Sequence, residues 1–563
     1  MSGDEGTCSF VLNSESVDTF GVDSKYLNEY GAWTCPHESE HEEDYCLFHL
    51  PPAEKSDTEV VEAVVETLKS AADGSPSGQT ERKLQFLGAQ FGDFELANGT
   101  LGASIDERLN LSHATFEGTV DWSGTTVEVS TVFLGAVFEG EACLDDAVFE
   151  EATTFREATF QHEVSIQDAT FNEVLSFRAA QFESNVDFER AEFNGLAKFR
   201  AGSFDGDANF AFTEFAGNVD FRRTTFTDTA DFGRTTFLRT TAFRGAKFGT
   251  YADFRRAEFG DKVNFETVVF DGGADFRQAE FNRQASFDSV SLNRAAFAEA
   301  DLTDADFSNA DLREANLESA LLSRATLFGA DLRGARLSGA LLGDVRVDDS
   351  TRFLGHAESD RVPNPHSIKA MRSRPCCVYD PRYESDGQYE DADKAKSVYR
   401  ALGELARKAA RPQLQARCFI RRQDLQKRDY KQAAARTDSL ETRIIAGARY
   451  TRAKVARATL LYGESPWRVI GYSIGIILGF ALLFPVGGWM KPNGGTPITY
   501  TQIFSDPLEL LNAVYYSTLT FTALGFGDFK PVGFGRALTT IETGLGAVLV
   551  ALLVFILGRR AAR

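Results

Sequence analysis

Large apolar residues recur along the middle of the chain at spacings that fit neither a helix nor a flat strand. From Phe133 to Phe287, steps of five and six residues alternate, and nearly every large residue is Phe. From Leu292 to Leu342 the step is five throughout. Amphipathic helices repeat apolar residues every 3.6 positions and strands every 2. These periods therefore indicate a coil with four short faces, each face pointing one bulky residue inward.

The five-residue part carries a recognisable motif, in which a small residue stands two positions before most of the large ones. Ala300-Asp301-Leu302 is an example, and the motif resembles the pentapeptide-repeat family. The resemblance implies a right-handed quadrilateral β-helix over residues 84–345, with about 20 residues per coil in one part and about 22 in the other. At about 4.8 Å per coil, roughly ten coils from residue 133 to 342 would make a rod about 50 Å long. Weaker repeats extend the pattern toward residue 84, at Phe94, Ile105, Leu111, Phe116, Trp122 and Val127.

Three roles for this rod remain open. It would serve as a rigid scaffold or spacer with an acidic coat, or present a binding surface to a cytoplasmic protein partner. Some members of the family resemble DNA in shape and charge and bind topoisomerases, which is a third hypothesis. The acidic composition argues against nucleic acid as a partner.

Near its end the chain has two apolar segments, residues 467–489 and 533–557, each long enough to cross a bilayer. A shorter helix and the loop that follows it are expected between them, over residues 505–531, with Asp506 as the N-cap of the helix and Pro507 in its first turn. After this helix come two glycines that flank one aromatic residue. A carbonyl-lined ion filter needs backbone conformations that a Cβ would resist, so this composition indicates such a filter. Its residues are Thr522, Ala523, Leu524, Gly525, Phe526, Gly527 and Asp528.

The stretch from Tyr515 to Pro531 resembles the pore helix and selectivity filter of two-transmembrane potassium channels. The family filter T-V-G-Y-G falls on residues 523–527, with Leu for Val and Phe for Tyr. Ala523 stands where the family uses a Thr hydroxyl as the innermost ion ligand. Leu519 stands where many members carry a Glu that braces the filter Asp. The resemblance implies K⁺ as the conducted ion and a homotetramer, because a ring of carbonyls closes only when four chains meet.

Two glycines of the second apolar segment, Gly544 and Gly546, are candidate gating hinges, although close packing by small residues explains them equally well. A membrane-anchored interaction scaffold with a non-conducting or poorly selective pore is the alternative function. Leakage of sodium through the pore is left open by Ala523. The chain shows no nucleophile elbow or phosphate loop, so we do not expect an enzyme.

The first 52 residues contain a cluster typical of a structural zinc site. Cys8, Cys35, Cys46 and His49 offer three thiolates and one imidazole, and Cys46 and His49 are close enough to bind from one turn. His37 and His41 are possible substitutes in the ligand set, and reduced cysteines without a metal are the alternative. An acidic linker over residues 53–83 follows.

Charge and composition indicate the character of the remaining segments and their side of the membrane. The formal net charge is −23, and an acidic coat is typical of proteins that work at high internal salt. Residues 346–392 form an irregular connector, and residues 393–466 a basic helical linker that breaks at Arg411-Pro412. Positive charge beside the first apolar segment predicts that this side is cytoplasmic. Without a recognisable signal peptide, we expect a multi-pass protein of the cell membrane with both termini in the cytoplasm.

Overall fold

The computed structural model describes residues 7–13, 26–39, 44–73, 82–96, 98–102, 108–353, 376–383, 390–436 and 439–561. The chain divides into two compact units, Met1–Asn364 with Arg374–Lys394, and Pro365–Ser373 with Ala395–Arg563. His41 and Ile105 lie outside the described residues.

The first unit is a β-solenoid built of four parallel sheets, each with nine strands. Each inner strand pairs with the strand four places earlier and the strand four places later, so the chain visits the four faces in turn.

The strands of the four faces are listed here in chain order. The first face contains Arg108–Asn110, Ser130–Val132, Thr153–Thr154, Leu175–Ser176, Ala197–Lys198, Val219–Asp220, Thr241–Ala242, Val263–Asn264 and Ala285–Ser286. The second contains Gln90–Phe91, Thr115–Phe116, Val137–Phe138, Thr159–Phe160, Gln181–Phe182, Ser203–Phe204, Thr225–Phe226, Lys247–Phe248 and Val269–Phe270. The third contains Phe94–Glu95, Val120–Asp121, Ala142–Cys143, Val164–Ser165, Val186–Asp187, Ala208–Asn209, Thr229–Asp231, Tyr251–Asp253 and Ala274–Asp275. The fourth contains Thr100–Leu101, Thr126–Val127, Val148–Phe149, Thr170–Phe171, Glu192–Phe193, Glu214–Phe215, Thr236–Phe237, Glu258–Phe259 and Glu280–Phe281.

The register confirms the two coil lengths that the apolar spacing predicts. Thr131 pairs with Thr153, which is one coil of 22 residues. Ser286 pairs with Asp306 in an isolated bridge, a coil of 20 residues. Single bridges of this kind continue to Arg352, so the five-residue part extends the same solenoid with shorter pairing. The right-handed sense of the coil stays a prediction.

Columns of stacked Phe rings fill the solenoid from Phe91 to Phe307, and buried Leu side chains continue the core beyond them. Phe232 and Phe254 lie 4.9 Å apart between ring centroids with planes 3° apart. Phe243, from the neighbouring column, meets Phe232 edge-on at 5.6 Å. Offset-stacked and edge-to-face pairs add about 0.5–1.5 kcal/mol each beyond the area they bury. Ring stacking between successive coils is thus the main repeating contact of the core.

The corners of the coil place one residue at a time in the left-handed region. Ala179, Arg190 and Ala201 have φ values of 56°, 58° and 58°, eleven residues apart. Beyond Phe287 the interval drops to five, because every corner there has the same tight turn.

A small cap closes the N-terminal end of the solenoid. It contains the antiparallel strands Val11–Leu12 and Trp33–Thr34, the 3₁₀ turn Pro52–Glu54 and helix α1, Asp57–Asp73. The amide of Gln90, in the first strand of the second face, donates to the carbonyl of Phe48 at 2.9 Å. The cap thereby pairs backbone groups at an end that would otherwise be open to other strands.

The second unit is helical. Helix α2, Ala392–Lys408, begins in the first unit and ends just before α3, Pro412–Arg436. α4, Leu440–Leu460, is followed by a 3₁₀ turn, Leu461–Gly463. The remaining elements are α5, Pro466–Leu483, continued by the 3₁₀ turn Phe484–Gly487; α6, Tyr500–Ser505; α7, Leu508–Phe521; α8, Gly535–Ala561; and the antiparallel strands Met490–Pro492 and Phe529–Pro531. By length and composition, Pro466–Gly487 and Gly535–Gly558 are two candidate membrane spans.

Candidate functional site

The short helix between the spans, α7, has a defined start and a defined end. At its start, the carboxylate of Asp506 accepts a hydrogen bond from the amide of Leu508 at 3.0 Å. At its end, the amide of Ala523 donates to the carbonyl of Thr520, and the amide of Leu524 donates to the carbonyl of Leu519. This pair of bonds is a Schellman motif, which satisfies the last carbonyls of a helix.

Ala523 takes the left-handed position that a Schellman motif requires, with φ of 57°. Glycine usually occupies this position, since a Cβ costs roughly 1–2 kcal/mol there. A β-branched Thr would be strained further. In this conformation a small residue at position 523 therefore has a local structural reason.

After Ala523 the left-handed conformation recurs at every second residue, at Gly525 and Gly527, with φ of 38° and 81°. A Cβ added at either glycine would meet nothing within 4 Å, so the backbone conformation, and not space, favours glycine here. The two residues beside them, Leu524 and Phe526, are 60% and 65% exposed. The segment 522–528 thus presents irregular backbone and large apolar side chains on the surface of a single chain.

Asp528 is held by a residue other than the one at position 519. The hydroxyl of Tyr515, on α7, donates to the carboxylate of Asp528 at 3.0 Å. The amide of Asn493, in the outer loop, donates to the carbonyl of Asp528 at 2.7 Å. Leu519 itself is buried. Tyr515 and the strand pairing next to Asn493 therefore fix the end of the segment.

The two glycines of α8 differ in their surroundings. A Cβ at Gly546 would overlap the carbonyl of Phe521, at the end of α7, whereas Gly544 faces open space. The hydroxyl of Thr543 donates to the carbonyl of Thr520 at 3.1 Å. Close packing of α8 on α7 thus explains Gly546 in this structure. Hinge motion at either glycine stays a prediction.

A buried acid in α8 was not foreseen from the sequence. Glu542 is fully buried and contacts Ser517 of α7, and the hydroxyl of Ser517 also lies 2.8 Å from the carbonyl of Ile477 in α5. A lone carboxyl within an apolar span was the available signal, because intramembrane acids are rare and often functional.

A second unforeseen cluster lies where α4 meets the first span. Asp424 of α3 binds Arg457 of α4 through two hydrogen bonds, at 2.5 and 2.9 Å, and accepts a third from Tyr462 at 3.0 Å. Tyr462 and its neighbour Leu461 have φ of 59° and 48°. Burial opposes ionisation of Asp424, but hydrogen bonding to Arg457 and the charges of Arg457 and Lys427 lower its pKa. Asp424 therefore fixes the turn that leads into α5.

The cysteine and histidine cluster lies inside the N-terminal cap. Cys8, Cys35, Cys46 and His49 are all buried, and their four donor atoms lie within 4.8 Å of one another. The sulfurs of Cys35 and Cys46 are 3.7 Å apart, and Nδ1 of His49 lies 3.2 Å from the sulfur of Cys46. Zn–S bonds of about 2.3 Å in a tetrahedron give a sulfur–sulfur distance of about 3.8 Å. The donor set therefore fits zinc.

The orientation of His49 supports the same fit. Its Nε2 lies 2.9 Å from the carbonyl of Leu87 and donates there, which leaves the Nδ1 lone pair facing the thiols. His37 is next to the cluster, with Nδ1 3.4 Å from the sulfur of Cys35 and Nε2 2.9 Å from the carbonyl of Lys83. Burial lowers the pKa of His37 to about 4. His37 is thus a neutral neighbour of the group of four.

Comparisons with known proteins agree with both parts of the chain. Residues 133–181 and 221–269 match the profile described as pentapeptide repeats (9 copies), and residues 283–318 and 305–344 match pentapeptide repeats (8 copies). Residues 474–563 match the profile described as ion channel.

Two curated relatives, both called Protein LctB, come from Bacillus caldotenax and Geobacillus stearothermophilus. Each is 29% identical over 94 residues, which is 16% of this chain and 68% of the relative. Similar solved structures include the pentapeptide repeat protein Rfr23 from Cyanothece 51142, with 25% identity over 18% of this chain and a TM-score of 0.14; this chain spans 63% of its length. HetL from Nostoc sp. strain PCC 7120 has 20% identity over 48% of this chain and 95% of its own, with a TM-score of 0.13.

The coil register, the Phe columns and the repeat profiles all concern the first unit, whereas the two candidate spans and the ion-channel profile concern the second. The chain therefore joins pentapeptide repeats to a C-terminal segment that is similar to two-transmembrane, potassium-channel-like ion channels.

Proposed function

We propose that this protein is the subunit of a potassium-type cation channel, with residues 522–528 as its filter and its repeat domain in the cytoplasm. The observation that carries the proposal is the position of this segment. It lies between two candidate spans, directly after a short capped helix, with left-handed φ at Ala523, Gly525 and Gly527. Irregular backbone at membrane depth is tolerated only where it is buried in protein or lines a watery cavity.

The exposure of the filter residues supports a homotetramer. Leu524 and Phe526 are large and apolar, yet both are mostly exposed in the single chain. Four copies around one axis would bury such side chains between neighbours and would close a ring of carbonyls around a dehydrated K⁺.

The charge of α4 supports the orientation in the membrane. Arg443, Arg449, Arg452 and Lys454 all lie on this helix, which ends six residues before α5 begins. Basic residues next to a span mark the cytoplasmic side. The repeat domain and both termini would then share that side, and α4 would transmit a stimulus from the cytoplasmic part to the pore.

Zinc has a structural part in this proposal. Cys8, Cys35, Cys46 and His49 would hold it in a closed tetrahedral site, and the ion would stabilise the cap over the first coil of the solenoid. The repeat surface is then available to a cytoplasmic protein partner, and no catalytic role is proposed for either unit.

The test is ion flux through the purified full chain in liposomes, with K⁺ and Na⁺ compared. Gly525→Ala places a Cβ at a left-handed filter position and should abolish flux. Gly471→Ala is the matched control, since a Cβ at this α5 glycine meets nothing within 4 Å. It should conduct as the wild type does.

Flux that prefers K⁺ and is lost only in Gly525→Ala would support the channel. Flux without preference would keep the pore and reject potassium selectivity. If the wild type passes neither ion at any salt concentration or voltage, the channel is rejected in favour of a membrane-anchored scaffold.

A further inference from the structure

We infer that Glu542 is a positioning residue of the pore, which acts as a neutral hydrogen-bond donor and ties three helices together. The inference rests on the proposed channel function and deepens it, because the residue would set where the filter sits. It is drawn from the burial of Glu542 and from the groups around its carboxyl.

Glu542 lies near the middle of the first half of α8, with no exposed surface. One carboxyl oxygen, Oε1, contacts the hydroxyl of Ser517, which is also fully buried. The same hydroxyl lies 2.8 Å from the carbonyl oxygen of Ile477. The carboxyl, the hydroxyl and the carbonyl thus form one chain of contacts across α8, α7 and α5.

The direction of hydrogen bonding in this chain decides the protonation state. A serine hydroxyl has one proton to donate, and a backbone carbonyl can only accept. If Ser517 donates to Ile477, its oxygen can accept from Glu542 only when the carboxyl carries a proton. An ionised Glu542 could only accept the hydrogen bond of Ser517, and the carbonyl of Ile477 would then receive none from this hydroxyl.

The surroundings of Glu542 favour the protonated form. Its second oxygen, Oε2, has no hydrogen-bond partner among the residues that the structure describes. Arg468, Glu509 and Arg536, the other charged side chains described in these three helices, each stand second or third from a helix end. An unpaired charge at this depth would be costly, whereas a neutral carboxyl can be satisfied by one donated bond.

Tyr516 is the other titratable side chain close to Glu542. Tyr516 of α7 adjoins Ser517, and its hydroxyl lies 2.8 Å from the hydroxyl of Thr539 in α8. This contact pairs two hydroxyls and does not include the Glu542 carboxyl. Ionisation of Glu542 is therefore the event that would break the link to α5.

The link matters for conduction because of where it acts. Ser517 stands on the last turns of α7, six residues before Ala523, so it fixes the end of the helix that leads into the filter. α5 and α8 are the two candidate spans. A neutral Glu542 would hold α7 to both of them at once and thereby set the height of the filter between the spans.

The decisive experiment compares Glu542→Gln with Glu542→Ala in K⁺ flux from liposomes. The Gln amide can donate to Ser517 without a titratable proton, so Glu542→Gln should conduct like the wild type. Glu542→Ala and Ser517→Ala should each lower flux by about tenfold, the effect of losing one buried hydrogen bond. The double variant should be no worse than either, because one chain of bonds is broken in all three. Thr540→Ala is the control, since Thr540 is exposed on α8 and bonds only within its own helix, to the carbonyl of Arg536.

Two further measurements test whether the carboxyl of Glu542 is neutral. Wild-type flux should fall as the pH is raised far enough to ionise Glu542, whereas flux through Glu542→Gln should not respond. Infrared spectra of the wild type should show the carbonyl stretch of a protonated carboxyl that is absent from Glu542→Gln. This second readout does not depend on conduction.

Each outcome decides the inference. Equal loss of flux in Glu542→Gln and Glu542→Ala would mean that a negative charge is needed, and wild-type flux in Glu542→Ala would mean that the link has no role. Either result overturns the inference while the channel stands. If the wild type does not conduct, the proposed function fails, and absence of the protonated-carboxyl band would then overturn the neutral donor as well.

Discussion

The solenoid and the C-terminal helices with the proposed filter, residues 466–561, here called the pore segment, both use left-handed backbone at regular intervals. Only the solenoid buries the large side chains beside these positions within one chain. Its Phe columns are fully buried, as at Phe232 and Phe254, because each coil covers the next. In the pore segment the alternating positions leave Leu524 and Phe526 exposed. A repeat that stacks on itself needs only caps at its ends, whereas a carbonyl-lined pore needs other copies of the chain.

The two regions also differ in how their polar contacts are made. In the solenoid the same backbone contact recurs from coil to coil, as where the amide of Phe199 donates to the carbonyl of Asp220 and the amide of Phe221 to the carbonyl of Ala242. The loss of one copy therefore leaves the rest of the pattern. In the pore segment each contact occurs once: Tyr515 with Asp528, Ser517 with Ile477, and Thr543 with Thr520. We therefore expect substitutions in the solenoid to change stability alone, and those in the pore segment to change function as well.

Loss of the proposed zinc site should have the largest effect on the solenoid, because it would remove the group that holds the N-terminal cap together. Cys46→Ser should abolish the binding of one zinc equivalent, and apparent folding free energies of structural zinc sites reach about 10 kcal/mol or more. Proteolysis should then cut the cap before residue 84, and zinc content should be measured by metal analysis. Cys143→Ser, at a half-buried cysteine outside the cluster, is the control. Equal zinc content in both variants would reject the site.

A cavity inside the Phe columns should have the next largest effect. Phe232→Ala should lower the free energy of unfolding of the full chain by about 3–5 kcal/mol, measured by denaturant unfolding in detergent. K⁺ flux below the unfolding transition should stay at the wild-type level. Leu238→Ala, at a side chain 44% exposed, should cost under about 0.5 kcal/mol. A loss of flux in Phe232→Ala without unfolding would show that the two regions are not energetically separate.

Substitution of Asp424 tests a contact that occurs only once, beside the first candidate span. Asp424→Asn should cost about 1–3 kcal/mol, because a buried charge-assisted bond to Arg457 is lost. The pKa of Asp424 is lowered in the folded protein, so its stabilisation is present above the ordinary carboxyl pKa of about 4 and is lost as the pH falls below it. Thermal unfolding from pH 6 to 2 should show this loss in the wild type and a smaller one in Asp424→Asn.

Asp429→Asn provides the matched control for Asp424. Asp429 stands on the same helix and pairs with Lys396 at 2.7 Å, but a third of its side chain is exposed. Exposed pairs contribute little, so this substitution should cost under about 1 kcal/mol. Equal losses of unfolding free energy at the two positions would show that the contact of Asp424 with Arg457 stabilises the protein no more than an exposed ion pair does.

The sequence predicts the repeated contacts of this protein better than the contacts that occur only once. Apolar spacing predicted the coil lengths and the four faces, because the same relation between residues repeats in every coil. The N-terminal donor set was predicted separately, from the scarcity of Cys and His elsewhere and from the short spacing of Cys46 and His49. The helix break before Pro412 followed from the missing amide of proline. α6 was not predicted, because its capping box, from Thr499 to Gln502, lies in a stretch without apolar periodicity.

The contacts of the pore segment could not be predicted in this way. Tyr515 meets Asp528 only because the chain turns back after Ala523, and no spacing rule specifies that turn. Glu542 could have been noticed as a lone acid, but its partners on α7 and α5 depend on how three helices pack. The left-handed position of Ala523 explains a departure from the family pattern that sequence comparison shows only as a missing hydroxyl.

The smallest expected effects come from a matched pair of alanines, Ala201 in the solenoid and Ala523 in the pore segment, whose φ values are 58° and 57°. Glycine relieves the left-handed strain of about 1–2 kcal/mol but increases the freedom of the unfolded chain, so Ala201→Gly and Ala523→Gly should each stabilise by about 0.5–1 kcal/mol. Neither should change the ratio of K⁺ to Na⁺ flux, since no ion ligand is altered.

Substitution by Thr should have different effects at position 523 and at position 201. Ala523→Thr supplies a hydroxyl at the place where the family has an ion ligand, and it puts a β-branched residue into a left-handed position. We expect a stronger preference for K⁺ together with a loss of about 1–2 kcal/mol. Ala201→Thr should show the same loss with no change in flux. If Ala523→Thr is more stable than the wild type while Ala201→Thr is less stable, position 523 leaves the left-handed region when four chains assemble, and the filter takes its working conformation only in the tetramer.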